Sequence, residues 1–254
     1  MRVIVFDTET IGKVTQDLLN VGYRIVDIDI QHATATTLIA RDYVVTELIN
    51  NRIYCINDDF VGREKYGMYL TMLEGKQIIK HNIARIFSIM ANDLKKYNVL
   101  FGYAYNSAFD VDKFNKTAME LNIANPIATI PIFDIWGYAY NYICKTDGYI
   151  EWAKENEIFT KTERYIKQSV EAVCQFLYDD LEFVENHTAL SDVNHELNIL
   201  LECIRRGCDI TRPMNHKAIY SDKVFTKTLE LPDGEIVNLE YTKEYTKGNK
   251  TTLK

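Results

Sequence analysis

An uninterrupted apolar run, Val3 to Phe6, lies close to the N-terminus and leads directly into two acidic residues, Asp7 and Glu9. Side chains of a strand alternate between its two faces, so a run that is apolar on both faces predicts a buried, central strand. The same alternation places Asp7 and Glu9 on one face. Neighbouring carboxylates repel each other, and a divalent cation would turn that repulsion into a binding platform. The alternative is a solvated strand edge, which the apolar run disfavours.

Further patterns predict the order of the elements. Strand-like runs are at residues 2–7, 22–30, 34–40, 98–105 and 130–135, with an extended piece at 43–48. Residues 57–77, with Asp58, Asp59 and several glycines, are typical of a loop-rich insertion. Helical spacing of apolar residues predicts helices at 78–96, 107–114 (capped by Ser107), 163–178 and 188–205. This order predicts an α/β fold whose mixed sheet combines an antiparallel meander with parallel strands and is flanked by helices.

The 254 residues suit one large domain with an extension. We assign residues 1–205 to the domain and 206–254 to a C-terminal extension. In the extension, Pro232-Asp233-Gly234 predicts the turn of a β-hairpin, and the lysine-rich residues 241–254 predict a mobile tail.

Composition narrows the function classes. The net charge is −7, which argues against broad non-specific nucleic-acid binding but is compatible with a nuclease whose acidic site fills with cations. No apolar run is long enough to cross a bilayer, the N-terminus becomes acidic too early for a secretory signal, and five scattered cysteines do not form a disulfide framework. We therefore expect no membrane partner and a cytoplasmic location.

Three more residues join the acidic pair as candidates. Asp110 follows Asn106 by four residues, where a strand ends and a helix begins. His187 is expected in the loop before the last long helix, with Asp192 in its first turn. Taken singly, the two aspartates read as favourable charges at helix N-termini and His187 as a surface histidine. If they converge on Asp7 and Glu9, the set predicts a divalent metal site with an imidazole beside it to deprotonate water.

In this order the motifs resemble a known family. The sequence shows D-x-E on the first strand, N-x-x-x-D after a later strand and H-x-A-x-x-D opening a late helix, with Phe109 and Leu190 also in matching places. This pattern, over residues 2–205, is similar to the DEDD 3′→5′ exonucleases of the histidine (DnaQ-like) subgroup. The segment 43–66 resembles bacteriophage members, for which the location would be the host cytoplasm.

The resemblance implies a ribonuclease-H-like fold and metal-dependent hydrolysis from a 3′ end with two Mg²⁺ or Mn²⁺ ions. It implies that Asp7, Glu9 and Asp192 hold one ion, that Asp110 holds the second, and that His187 is the general base. The backbone around Thr8 and Thr10, together with Asn106 and Phe109, would contact the substrate. We expect single-stranded DNA as substrate, with RNA as the main competitor. Proofreading, replication or recombination would require a partner such as a polymerase in trans.

Two positions depart from the family pattern: Ile11 stands in place of a threonine, and Lys13 in place of an apolar residue that wedges the terminal bases. Three alternative functions remain: an exoribonuclease, an endonuclease of related fold, and a non-catalytic nucleic-acid- or protein-binding module.

Other metal-like patterns are read as structural. Asp192, His195 and Glu196 share a helix and are expected on a solvated face. Cys203, Cys208 and His216 fit no zinc spacing, and we expect buried cysteines. Asp134 has two open interpretations, a helix cap or a residue that supports the site.

Overall fold

The computed structural model describes residues 1–11, 17–51, 60–230 and 236–242. The strands are β1 (Arg2–Ile11), β2 (Asp17–Asp29), β3 (Thr34–Val45), β4 (Ile79–His81), β5 (Phe101–Ala104), β6 (Ile132–Asp134), β7 (Val224–Glu230) and β8 (Ile236–Thr242). The α-helices are α1 (Thr46–Ile49), α2 (Phe60–Glu74), α3 (Ile83–Lys96), α4 (Ser107–Leu121), α5 (Ile135–Ala139), α6 (Asp147–Glu155), α7 (Val170–Tyr178) and α8 (Ala189–Arg205). A 3₁₀ turn at Pro126–Thr129 and a π-helical turn at Tyr140–Cys144 complete the described elements.

One mixed sheet organises the described chain, with strand order β4-β3-β2-β1-β5-β6. β1, β2 and β3 form an antiparallel meander. β5 runs parallel to β1 and β6 parallel to β5, while β4 runs parallel to β3 at the other edge. The predicted fold class is confirmed: an α/β, ribonuclease-H-like mixed sheet flanked by helices. β1 lies in the interior of the sheet, as its apolar run predicts.

The two faces of β1 contribute to different clusters of buried residues. Val3 and Val5 pack with residues of α5, α6, α7 and α8. Ile4 and Phe6 pack with residues of α3 and α4 on the opposite face. Because β1 is covered on both sides, the carboxylates at its C-terminal end extend from a fixed platform rather than from a solvated edge.

The prediction of a loop-rich insertion at residues 57–77 is wrong over most of its length, because α2 occupies Phe60–Glu74. Tyr69 of this helix is fully buried and packs in a cluster with Ile11, Leu19 and Val44. Glycine inside a helix costs about 1 kcal/mol relative to alanine, and no described residue comes close enough to Gly67 to require a glycine there. Burial of the Tyr69 face compensates for that cost. Asp58 and Asp59 lie outside the described residues.

The predicted helix at residues 78–96 begins too early, because Ile79–His81 forms the edge strand β4. Asn82 caps α3, its side chain accepting a hydrogen bond from the Arg85 backbone N–H at 2.8 Å. An asparagine at this position satisfies a helix N–H that would otherwise lack a partner. The apolar spacing identified the helix, but the cap fixed its start.

Other boundaries also differ from the prediction. The residue before α4 is Asn106, in the left-handed region, so Ser107 is helical rather than the cap, and α4 extends beyond residue 114 to Leu121. The helix predicted at 163–178 begins only at Val170, capped by Ser169. The extended piece at 43–48 ends at Val45, where α1 begins. Of these three starts, only that of α7 has a side-chain cap, in which Ser169 accepts a hydrogen bond from the Ala172 N–H.

Beyond residue 205 the chain continues along the domain. Cys208 and Ile210 are buried in the same cluster as Val3 and Val5, and the Tyr138 hydroxyl donates to the backbone oxygens of Ile210 and Arg212 at 3.0 Å. β7 and β8 pair antiparallel. The predicted turn at 232–234 lies outside the described residues. The mobile tail predicted at 241–254 is wrong for residues 241 and 242, which belong to β8, and its remainder is likewise outside the described residues. None of the described helices combines the length and apolar character needed to cross a bilayer.

Candidate metal centre

β1 brings the first two candidate carboxylates to the C-terminal end of the sheet. By alternation, Asp7 and Glu9 continue the face of Val3 and Val5, on which α8 packs. Thr8 continues the opposite face, towards α4. The register between β1 and β2 shifts between Glu9 and Thr10, so the regular ladder is interrupted just where the chain leaves the site.

Asp110 reaches the same end of the sheet from the first turn of α4. This helix follows β5, which runs parallel to β1, so both C-terminal strand ends lie at one edge. The Thr8 hydroxyl donates to Oδ1 of Asp110 at 2.6 Å. Burial raises the pKa of Asp110 to about 7, although its hydrogen bonds from Thr8 act in the opposite direction. A carboxylate held this deeply favours a cation as its partner.

His187 and Asp192 come from the start of α8. His187 is exposed, has a positive φ of 51° and directly precedes Thr188, the N-cap residue. Asp192 lies in the first helical turn and is buried. Potential ligand atoms of Glu9, His187 and Asp192 all lie within 4.8 Å of one another. Residues separated by 178 positions therefore meet at one point.

A glycine explains how α8 comes so close. Gly22 of β2 pairs with Asp7 in the sheet register. A Cβ at Gly22 would lie 2.8 Å from the carbonyl oxygen of Ala189 and still closer to the backbone carbon of Ala189 and nitrogen of Leu190. The Ala189 N–H also donates to Oδ1 of Asn20 at 2.8 Å. The beginning of α8 thus rests directly on the β2 backbone, beside Asp7.

Within the described residues, burial and mutual repulsion dominate the electrostatics of the carboxylate cluster. Burial, followed by repulsion from Asp110, Glu9 and Asp192, raises the pKa of Asp7 well above its usual value. Burial, with Glu185 and Glu9, raises the pKa of Asp192 to about 8. Each ionised form is costly without a counter-charge, and a divalent ion would remove that cost.

Buried carboxylate oxygens without a hydrogen-bond partner also favour a divalent ion. Oδ2 of Asp7, Oδ1 of Asp192 and Oε2 of Glu196 are buried and make no hydrogen bond within the described residues. Buried acceptors are normally satisfied, and carboxylate oxygens are the ligands preferred by Mg²⁺ and Mn²⁺. The residues present therefore fit divalent ions, for which Asp7, Glu9, Asp110 and Asp192 would supply the oxygen ligands.

Of the four residues expected at the substrate, Thr8 contacts a carboxylate of the cluster directly. Thr8 is buried and donates a hydrogen bond to Asp110, and Thr10 is half-buried. Asn106 is exposed, and its backbone N–H donates to Oδ1 of Asp134 at 2.9 Å. Phe109 is half-buried under the ammonium of Lys113, 4.8 Å from the ring centre. Lys13 lies outside the described residues.

Three charged residues near the centre were missed. Glu196 was expected on a solvated face, but only 2% of it is exposed, and burial followed by Asp7 and Asp110 raises its pKa well above the usual value. Burial, with Glu171 and Glu9, raises the pKa of Glu185 to about 7. Lys65 of α2 donates to Oε2 of Glu9. The position of Glu196, one turn after Asp192 and within the stripe of Val193 and Leu197, was the available signal.

The remaining metal-like patterns behave as structural residues. Cys203 and Cys208 are buried free cysteines, as expected, and His216 stacks on Trp136 with ring centres 3.5 Å apart. Asp134 caps α5 by accepting from the Trp136 N–H, and it also accepts from the Asn106 N–H. Asp134 thus joins the starts of α4 and α5.

No model of a known protein family matches the sequence, and no curated protein is similar to it at a significant level.

Proposed function

We propose that this protein is a metal-dependent exonuclease that removes nucleotides from the 3′ end of single-stranded DNA. The observation that carries the proposal is the meeting of Glu9, His187 and Asp192 within 4.8 Å, beside unpaired buried oxygens of Asp7 and Asp192. The motif order of the sequence, similar to that of DEDD exonucleases, supports the same reading.

The residues divide into two groups by chemistry. Asp7, Glu9, Asp110 and Asp192 would hold the ions, since each offers carboxylate oxygens within the acidic cluster. When bound, two divalent ions would neutralise the transferred phosphate and the departing 3′-oxygen.

His187 stands at the solvent side of the cluster, where an exposed imidazole can take a proton from water and release it to bulk solvent. It lies beside Glu9 and Asp192, with potential ligand atoms of all three within 4.8 Å. We assign it as the general base.

The proposed site residues indicate how selective the protein is for the sequence and sugar of its substrate. The five motif residues act on phosphate and water and read no base, so we expect low sequence specificity. We propose DNA as the first substrate. RNA is the alternative, because nothing in these five side chains distinguishes a 2′-hydroxyl.

The test uses matched 5′-labelled DNA and RNA oligonucleotides with free or phosphorylated 3′ ends, in Mg²⁺ or Mn²⁺. We expect a ladder that shortens from the free 3′ end and disappears with EDTA. Cutting inside a 3′-blocked strand would identify an endonuclease instead, and ion binding without hydrolysis would identify a binding module.

A matched pair of variants on one helix makes the test specific. Asp110→Asn removes the buried carboxylate and should abolish hydrolysis. Asp112→Asn removes an exposed carboxylate two residues away and should leave it unchanged. Equal activity of the two variants would contradict the proposed site.

A further inference from the structure

Lys65 lies inside the acidic cluster although it belongs to none of the motifs. Its ammonium contacts Oε2 of Glu9, and the side chains of the two residues are 19% and 14% exposed. It also acts on Asp192, where it opposes the larger effect of burial on the pKa of that carboxyl. A cation is thus held beside two of the proposed ion ligands.

The helix that carries Lys65 is fastened to the site. One turn after Lys65, the hydroxyl of fully buried Tyr69 donates to Oδ1 of Asn20 at 2.9 Å. The same oxygen accepts from the Ala189 N–H at the start of α8, and Asn20 is the register partner of Glu9 in the sheet. One asparagine therefore links α2, β2 and α8, and Lys65 is positioned by a network of buried hydrogen bonds.

A lysine used only as a counter-ion for Glu9 would compete with the divalent ion that the proposed function requires. The negative charge of the substrate phosphate offers Lys65 a second partner. If a phosphate oxygen of the substrate were bound to the same ion as Glu9, it would lie close to Glu9. It would then be within reach of the Lys65 ammonium that contacts Glu9. The lysine ammonium sits on a flexible stem and has three rotatable donors.

We propose that Lys65 is a substrate-binding residue that moves its hydrogen bond from Glu9 to a phosphate oxygen of the bound strand. The inference rests on the proposed exonuclease function and adds a phosphate contact that the five motif residues do not supply. The ligand class is a nucleic-acid phosphodiester, and the contact is a charge-assisted hydrogen bond.

The test compares Lys65→Met, which keeps a long side chain and helix propensity but removes the charge, with Lys76→Met at an exposed lysine just beyond α2. Activity on a 5′-labelled 20-nucleotide DNA in Mg²⁺ gives kcat and KM. Calorimetric titration with Mn²⁺ alone gives ion affinity. We expect Lys65→Met to lower kcat/KM by about 10–100-fold, as for loss of a hydrogen bond to a charged group. Mn²⁺ affinity should be unchanged or tighter, and Lys76→Met should match the wild type.

Two results would overturn the inference. Unchanged kcat/KM in Lys65→Met would make Lys65 a counter-ion for Glu9 alone, and weaker Mn²⁺ binding by a folded variant would make it a support for the ion ligands. Melting curves and the more polar Lys65→Gln variant separate either result from misfolding. A wild-type protein that hydrolyses nothing would instead refute the exonuclease function itself, whereas an active wild type with an equally active Lys65→Met refutes only the phosphate contact.

Discussion

Gly22→Ala is the substitution whose effect the geometry defines most closely. The added Cβ would lie 2.8 Å from the Ala189 carbonyl oxygen and nearer to two other backbone atoms at the start of α8. Non-bonded carbon contacts settle near 3.5–4.0 Å, so the start of α8 must move by roughly 1 Å. Backbone atoms cannot rotate away as a side chain would, and the displacement is passed to His187 and Asp192.

The loss of stability and the loss of catalytic rate can both be estimated. Overpacking of this kind costs about 1–3 kcal/mol, which for a domain of this size lowers Tm by roughly 2–12 °C. A misplacement of about 1 Å at a catalytic group costs on the order of 10²-fold in rate. Gly22→Ala should therefore lose about 10²-fold in kcat and bind Mn²⁺ more weakly, while the fold persists.

The assay pairs this variant with Gly148→Ala in α6, where an added Cβ would meet no atom of the described part of the chain within 4 Å. That control should keep full activity and be slightly more stable, because alanine is favoured over glycine in a helix. Melting temperature, Mn²⁺ titration and exonuclease rate are measured on all three proteins. A Gly22→Ala protein with lowered Tm but wild-type rate and Mn²⁺ affinity would refute the reasoning, since α8 would then have moved without displacing the site.

Two further predictions concern the chemistry of the site. The first variant is His187→Asn, because asparagine tolerates the positive φ at this position. It should lower kcat by about 10²–10⁴-fold and keep its Mn²⁺ affinity, while the control His32→Asn should be unaffected. Loss of Mn²⁺ binding would instead make His187 an ion ligand. Without metal, Tm should fall as pH rises from about 5 to 8. The pKa values of Asp110 and Asp192 in the folded state, about 7 and about 8, exceed the unfolded value of about 3.9, so the folded state holds more protons in that window. Mn²⁺ should reduce this fall in Tm. In Asp192→Asn without metal, Tm should fall less steeply with pH. A Tm that does not change with pH in EDTA would contradict the burial of the Asp110 and Asp192 carboxyls.

Much of the sheet was predictable because its signal is local. The run from Val3 to Phe6 is apolar on both faces, and a strand with that pattern is stable only between neighbours. The position of His187 before α8, with Asp192 in its first turn, followed from apolar spacing along the helix. These patterns depend on a few consecutive residues, so one sequence contains them in full.

The parts that were missed depend on distant partners. α2 has glycine inside it and a weak apolar face, and it is stabilised by the burial of Tyr69 against strands far away in sequence. No local pattern shows that Lys65 reaches Glu9. Glu196 was assigned to solvent because charged residues on a helix usually face water. Here Glu196 lies on the side of α8 that packs against the sheet, next to buried Val193 and Leu197.

We propose that side chains from β1, α4 and the start of α8 form one two-ion site that cleaves from the 3′ end. The decisive measurement is the number of Mn²⁺ ions bound per chain, determined by calorimetric titration alongside hydrolysis of a 5′-labelled single-stranded DNA. We expect two ions for the wild type, loss of tight binding in Asp7→Asn, and loss of 3′-end shortening in the same samples. A wild-type chain that binds no ion, or an Asp7→Asn chain that binds and digests like the wild type, would contradict it.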